Sequence, residues 1–90
     1  MAKAEIGWTR KTEDGTKVDF YARRIGDRWH FFNRQQRYEP WKNMAHPLLI
    51  DWITLLKAVE RRLARRRVRP EDVDRLKKTI HEKFPEAELQ

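Results

Sequence analysis

Arg28-Trp29-His30-Phe31-Phe32-Asn33-Arg34-Gln35-Gln36-Arg37-Tyr38-Glu39-Pro40-Trp41 holds five of the ten aromatic residues of the chain. It directly follows Gly26-Asp27, a pair suited to a tight two-residue hairpin turn. Arg28 to about Arg34 therefore reads as a strand (28–34). Lys17 to Ile25, rich in β-branched and aromatic residues, reads as the strand before it (17–25). A two-residue loop pairs Ile25 with Arg28, Ala22 with Phe31 and Tyr21 with Phe32. One face of this hairpin carries Val18, Phe20, Ala22, Trp29 and Phe31. The other carries Asp19, Tyr21, Arg23, Ile25, His30, Phe32 and Arg34.

Toward the N-terminus, Ile6 to Thr12 reads as a first strand (about 6–12), and its register is open to two readings. A three-residue loop, Glu13-Asp14-Gly15, with a Gly bulge pairs Thr12 with Thr16 and Trp8 with Phe20. A two-residue Asp14-Gly15 loop pairs Arg10 with Asp19 and inverts the strand, because a slip of one residue exchanges its faces. Burying Trp8 and Ile6 in one continuous core is worth several kcal/mol, whereas an exposed ion pair is worth at most about 1 kcal/mol. The three-residue loop is the expected one. Toward the C-terminus, Tyr38 to Pro47 reads as a loop, with Pro40 and Pro47 as breakers. Trp41 and Met44 either fold back to cap the core or cover the Tyr21/Phe32 rings.

From Leu48 the apolar period becomes helical: Leu49, Trp52, Ile53, Leu56, Val59 and Leu63 predict a helix over 48–67. It should stop there because Arg69 precedes Pro70. Pro70-Glu71-Asp72 opens a second helix, 70–84, with acids at its positive end and with Val73, Leu76, Ile80 and Phe84 as its stripe. The expected fold is α+β: a three-stranded antiparallel meander, then a two-helix hairpin packed on one sheet face. The expected organisation is one small domain, 1–90, with residues 1–5 and 86–90 disordered.

Ninety residues bury only about 60–65% of the surface an unfolded chain exposes. Apolar and charged residues each make up 39% of this chain, so a small, aromatic-heavy core is expected. Cysteine and serine are both absent, which excludes disulfides, thiolate chemistry and a serine nucleophile. No stretch approaches the roughly 18 apolar residues of a membrane span, and the start lacks the apolar segment of a signal peptide. A cytoplasmic protein without membrane insertion is expected.

The net charge is +7, and its excess is local. Lys57 to Arg69 contains seven basic residues against Glu60 alone. Such an excess suits nucleic acid, an anionic surface or an acidic protein, or simply keeps a surface soluble. On a helix reaching residue 67, Arg61, Arg62, Arg65, Arg66 and Arg69 fall within about 140° of arc, opposite Leu56, Val59 and Leu63. Arginine is favoured over lysine where planar, bidentate binding of phosphate matters. The stripe also complements the helix dipole, which needs no ligand.

The second sheet face is the other candidate. Tyr21, His30 and Phe32 interleave with Arg23 and Arg34, and aromatic platforms flanked by Arg stack single-stranded bases. The competing reading is a second small core under the 38–47 loop. His30, His46 and His81 show no metal-ligand spacing. Only Gly7, Gly15 and Gly26 are present, too few for a phosphate loop. No enzyme activity, metal, cofactor or small-molecule substrate is expected.

His30-Phe31-Phe32-Asn33 leading to Trp41, with Gly7-Trp8 upstream, resembles the WW domain family, whose second half runs Tyr-Phe-x-Asn-His to a Trp at this distance. The resemblance spans about fourteen residues and implies binding of Pro-rich peptides. Trp8 lies a whole strand further upstream than in that family, Arg34 replaces the His, and no Pro stands two residues after Trp41. The function expected from the residues themselves is a small nucleic-acid-binding module for RNA or DNA. The alternative is a protein-interaction or homodimerisation module.

Overall fold

A computed structural model describes residues 5–26, 28–65 and 68–87. The chain forms two compact units, 1–47 and 48–90, and each is described by itself.

The first unit is an antiparallel sheet of β1 (Glu5–Lys11), β2 (Lys17–Ile25), β3 (Arg28–Arg34) and β4 (Lys42–Met44), in the order β1-β2-β3-β4. The β1–β2 connection is the three-residue loop. The Thr12 N–H donates to the Thr16 carbonyl at 2.9 Å, and the Gly15 N–H to the Thr12 carbonyl at 2.9 Å. Gly15 has φ 84°, a left-handed value that a side chain penalises. Asp14 Oδ1 accepts from the Thr16 N–H at 3.0 Å and from the Thr12 hydroxyl. These bonds, the Thr12 hydroxyl first and the Thr16 N–H next, lower the Asp14 pKa from its ordinary value. Trp8 is thereby paired with Phe20, and Arg10 with Val18 rather than with Asp19. Gly26 has φ 65° at the next turn, and β2 pairs β3 as Ile25–Arg28, Ala22–Phe31 and Tyr21–Phe32. Asp27 lies outside the described residues.

The alternation sorts the side chains. On one face Ile6, Val18, Phe20, Ala22 and Phe31 are buried. Trp8 stacks on Phe20 at 5.9 Å between centroids and meets Phe31 edge-on at 6.0 Å. Trp29 lies partly exposed at its end of β3. Arg10 lays its guanidinium over the Phe20 ring, 4.6 Å from the centroid.

One expectation needs correction here. The 38–47 segment is not all loop, because Lys42–Met44 adds a fourth strand, with Met44 opposite Phe31 and Asn43 opposite Phe32. Both breakers, Pro40 and Pro47, stand outside this strand and therefore remove no ladder hydrogen bond. β1 starts at Glu5, opposite Arg23, whose Nε lies 3.7 Å from the Glu5 carboxylate. At the other end the Ala87 N–H donates to the Phe84 carbonyl at 3.0 Å. Residues 1–4 and 88–90 lie outside the described residues.

The second unit holds α1 (Leu49–Ala64) and α2 (Pro70–Lys83). Lys83 Nζ lies 5.7 Å from the Trp52 ring centroid, and Lys77 lies 3.9 Å from Glu60. Early α1 thus meets late α2, which makes the pair antiparallel. The buried positions of α1 are Asp51, Trp52, Leu55, Leu56, Ala58 and Val59. The stripe is therefore centred nearer Leu55 than the expected one, and Leu49, Ile53 and Leu63 are only partly covered. Asp51 is fully buried in the first turn, where the helix N-terminus favours negative charge. In α2, Val73, Leu76 and Ile80 are buried as expected.

The first helix stops at Ala64, short of 67. The Arg65 N–H divides itself between the Arg61 and Arg62 carbonyls at 3.3 and 3.2 Å, which tightens the last turn. Arg69 is extended at φ −91°, ψ 151° before Pro70, as a residue preceding proline must be. Its N–H donates to Asp72 Oδ2 at 3.3 Å and so starts α2. Residues 66 and 67 lie outside the described residues.

Candidate functional site

The open face of the sheet is built in rows, each crossing several strands. Glu5, Arg23 and His30 form one row. Gly7, Tyr21, Phe32 and Asn43 form the next, and Thr9, Asp19 and Arg34 the third. Side chains in a row stand close enough to touch. Tyr21 and Phe32 stack with centroids 4.6 Å apart and planes 18° from parallel. Trp41 meets Tyr21 nearly at right angles, again at 4.6 Å. The Arg34 guanidinium lies 4.2 Å from the Trp41 centroid, a cation–π contact. Its Nε is buried without a hydrogen-bond partner.

The 35–41 connection carries Trp41 here. β3 ends at Arg34 and β4 begins at Lys42, and a turn closed by the Glu39 N–H on the Gln36 carbonyl at 3.0 Å reverses the chain between them. Met44, opposite Phe31, faces the buried side. Trp41 and Met44 thus part to opposite faces, so neither expectation that kept them together holds. Tyr21 and Phe32 stay partly exposed rather than sealed beneath the loop, and Trp41 remains 36% exposed.

An open groove of about 700 Å³ runs along this face. Tyr21, Asp19, Thr9 and Gly7 lie in it, with Trp41, Arg34 and Arg37 along its length. Gly7 adds no side chain. A Cβ there would sit 3.5 Å from the Phe20 carbonyl and 4.0 Å from Tyr21 Cβ, ordinary contacts, so the backbone does not demand glycine and its effect is to leave the groove open.

Of the expected open-face residues, Tyr21, Phe32 and Arg34 come together around Trp41. Arg23 and His30 sit one row away, with Arg23 beside the Glu5 carboxylate. Trp41, Arg37 and Thr9 were missing from the expected face, and Asp19, though placed on it, was not among the expected contacts. The register that pairs Trp8 with Phe20 already implies Thr9 opposite Asp19, so that part was readable. The position of Trp41 depends on β4 and was not.

The arginine stripe runs from the end of one helix to the start of the next. Arg61 and Arg62 occupy the last turn of α1, Arg65 is its C-cap and Arg69 is the N-cap of α2. Arg66 lies outside the described residues. Arg61, Arg65 and Arg69 are exposed and Arg62 is partly covered. The arc assumed one helix through residue 67, and the helix end at Ala64 removes that assumption.

Among the described residues no three His, Asp or Glu side chains cluster as a metal site would need, and no helix is long and apolar enough to cross a membrane. No family model, curated protein or solved structure matches this chain.

Proposed function

We propose that the protein is a small nucleic-acid-binding module, working in the cytoplasm without catalysis, and that its open sheet face takes a single strand. The observation that supports this best is the Trp41 ring, over a third exposed and backed by the Arg34 guanidinium, at an open groove it shares with Tyr21. A stacked base contributes roughly 1–3 kcal/mol, and nearby arginines take the phosphates. The groove's volume is in the range of a small-ligand site, about 300–1,000 Å³, which suits one or two nucleotides at a time.

Fluorescence anisotropy with a labelled single-stranded octanucleotide tests it. Trp41→Ala should weaken single-strand binding by about 1–3 kcal/mol and leave duplex binding nearly unchanged. Gly7→Val should weaken binding too by filling the groove, while the melting temperature holds, since a β-branched residue suits a strand. Equal binding by wild type and both variants removes the open face from the function.

A second reading is self-association or protein binding. It is favoured by Leu48 and Ile50, large apolar side chains left exposed near the start of α1. Exposed apolar groups that cluster mark interaction surfaces. Sedimentation of the same samples separates the readings: a concentration-dependent dimer without oligonucleotide binding supports the second.

A further inference from the structure

The groove holds a carboxylate where a pure phosphate track would hold none. Asp19 stands opposite Arg34 in the β2–β3 ladder, a placement that favours a cross-strand ion pair. The guanidinium instead lies over Trp41 at 4.2 Å. Asp19 Oδ1 accepts from the Thr9 hydroxyl at 3.2 Å, and among the described residues its Oδ2 takes no hydrogen bond. One side of the carboxylate is held by the neighbouring strand, and acceptor capacity is left over in the groove that Trp41 and Arg37 also line.

Resting on the reading of this groove as a single-strand site, we propose that Asp19 makes it select guanine. A carboxylate only accepts hydrogen bonds, and its two oxygens offer about four lone-pair positions. Guanine alone among the four bases presents two donors side by side on its Watson–Crick edge, N1–H and the N2 amine. Adenine and cytosine each present one amine beside a ring acceptor, which repels the second carboxylate oxygen. Uracil presents N3–H between two carbonyls, which repel both.

The remaining parts do not choose among bases. Trp41 stacks any base, because every base has a π-face. Arg34 and Arg37 are suited to the phosphates on either side. Thr9 has a positioning role: its hydroxyl orients the carboxylate and leaves the second oxygen to the ligand. Glu5, the other acid along the groove, lies beside Arg23, so Asp19 is the carboxylate best placed to read an edge.

The test uses the full chain and five labelled single-stranded RNA octamers of uridine, each with one central guanosine, inosine, adenosine, cytidine or uridine. The guanosine octamer should bind roughly 5- to 150-fold tighter than the uridine one, the discrimination of a good bidentate pair. Inosine, which lacks the N2 amine, should fall between them. Asp19→Asn exchanges one acceptor for a donor. It should abolish the guanosine preference and bind the uridine octamer at least as well as wild type, since a negative charge near the phosphates is gone. Thr9→Val keeps the charge and should shrink the preference without abolishing binding, so the assignment does not depend on one variant. If all five octamers bind alike in a Trp41-dependent manner, or Asp19→Asn keeps the preference, guanine selection is wrong while the single-strand reading stands. If no octamer binds, both fall.

Discussion

Phe31 shows how much one position can carry in a chain this short. It is buried to 1% exposure, meets Trp8 edge-on and stands opposite both Ala22 and Met44. Phe31→Ala should cost about 3–5 kcal/mol, the transfer term plus the cavity left behind. That is a large share of the stability of so small a domain. Urea denaturation measures it, and a midpoint within experimental error of wild type means that the buried face is misassigned. Phe32, its neighbour on the other side of the pleat, should cost far less when truncated, because its ring stays partly exposed. The face of each of these two residues was legible from the Gly26-Asp27 turn alone, since a two-residue loop leaves one register and the pleat alternates strictly.

The β1–β2 hairpin is an element whose register depends on its turn, and Asp14 contributes to that turn through its charge. Its pKa is lowered from the ordinary 3.8, mainly by the Thr12 hydroxyl and then by the Thr16 N–H. A depressed folded value means that the contribution is present above the ordinary value and is lost as pH falls through the depressed one. Asp14→Ala should therefore lower the Tm at neutral pH, and the gap to wild type should close on acidification below 3.8. Paired thermal melts at neutral and acid pH check this, and a gap that stays constant with pH would mean that the turn acts through geometry alone. At the same scale β4 was illegible in the sequence. Three residues with one apolar side chain between two prolines carry no period to read, and only pairing with β3 makes them a strand. The end of α1 was legible only within a few residues. Pro70 forces Arg69 out of helical dihedrals, but nothing local says how many residues earlier the last turn tightens.

Across the whole molecule, the net charge of +7 is the sequence-level argument for an anionic partner, and the arginines from Arg61 to Arg69 are where it concentrates. If Arg61, Arg62 and Arg65 contact duplex phosphates, replacing all three with Gln should flatten the log–log salt slope by up to about 2.7, at about 0.9 per contact. All sequences should weaken about equally. Binding titrated at four salt concentrations reads the slope, and an unchanged one removes the helical unit from nucleic-acid contact. Arg66 and Arg69 are not grouped with these three, since Arg69 starts the next helix and Arg66 is outside the described residues. The sequence by itself determined the α+β order, the β2–β3 register with the residues of its two faces, and the two helices, because turn chemistry and hydrophobic period act over a few neighbouring residues. The β1–β2 register stayed open to two readings until the structure paired Trp8 with Phe20. The tertiary structure alone decided that Trp41 and Met44 separate to opposite faces, that the groove opens beside Asp19, and that the Arg34 guanidinium lies over Trp41 rather than reaching Asp19. Each of these depends on β4 adding to β3 or on contacts between residues distant in the chain, and no local pattern encodes which of several possible partners such a side chain finds.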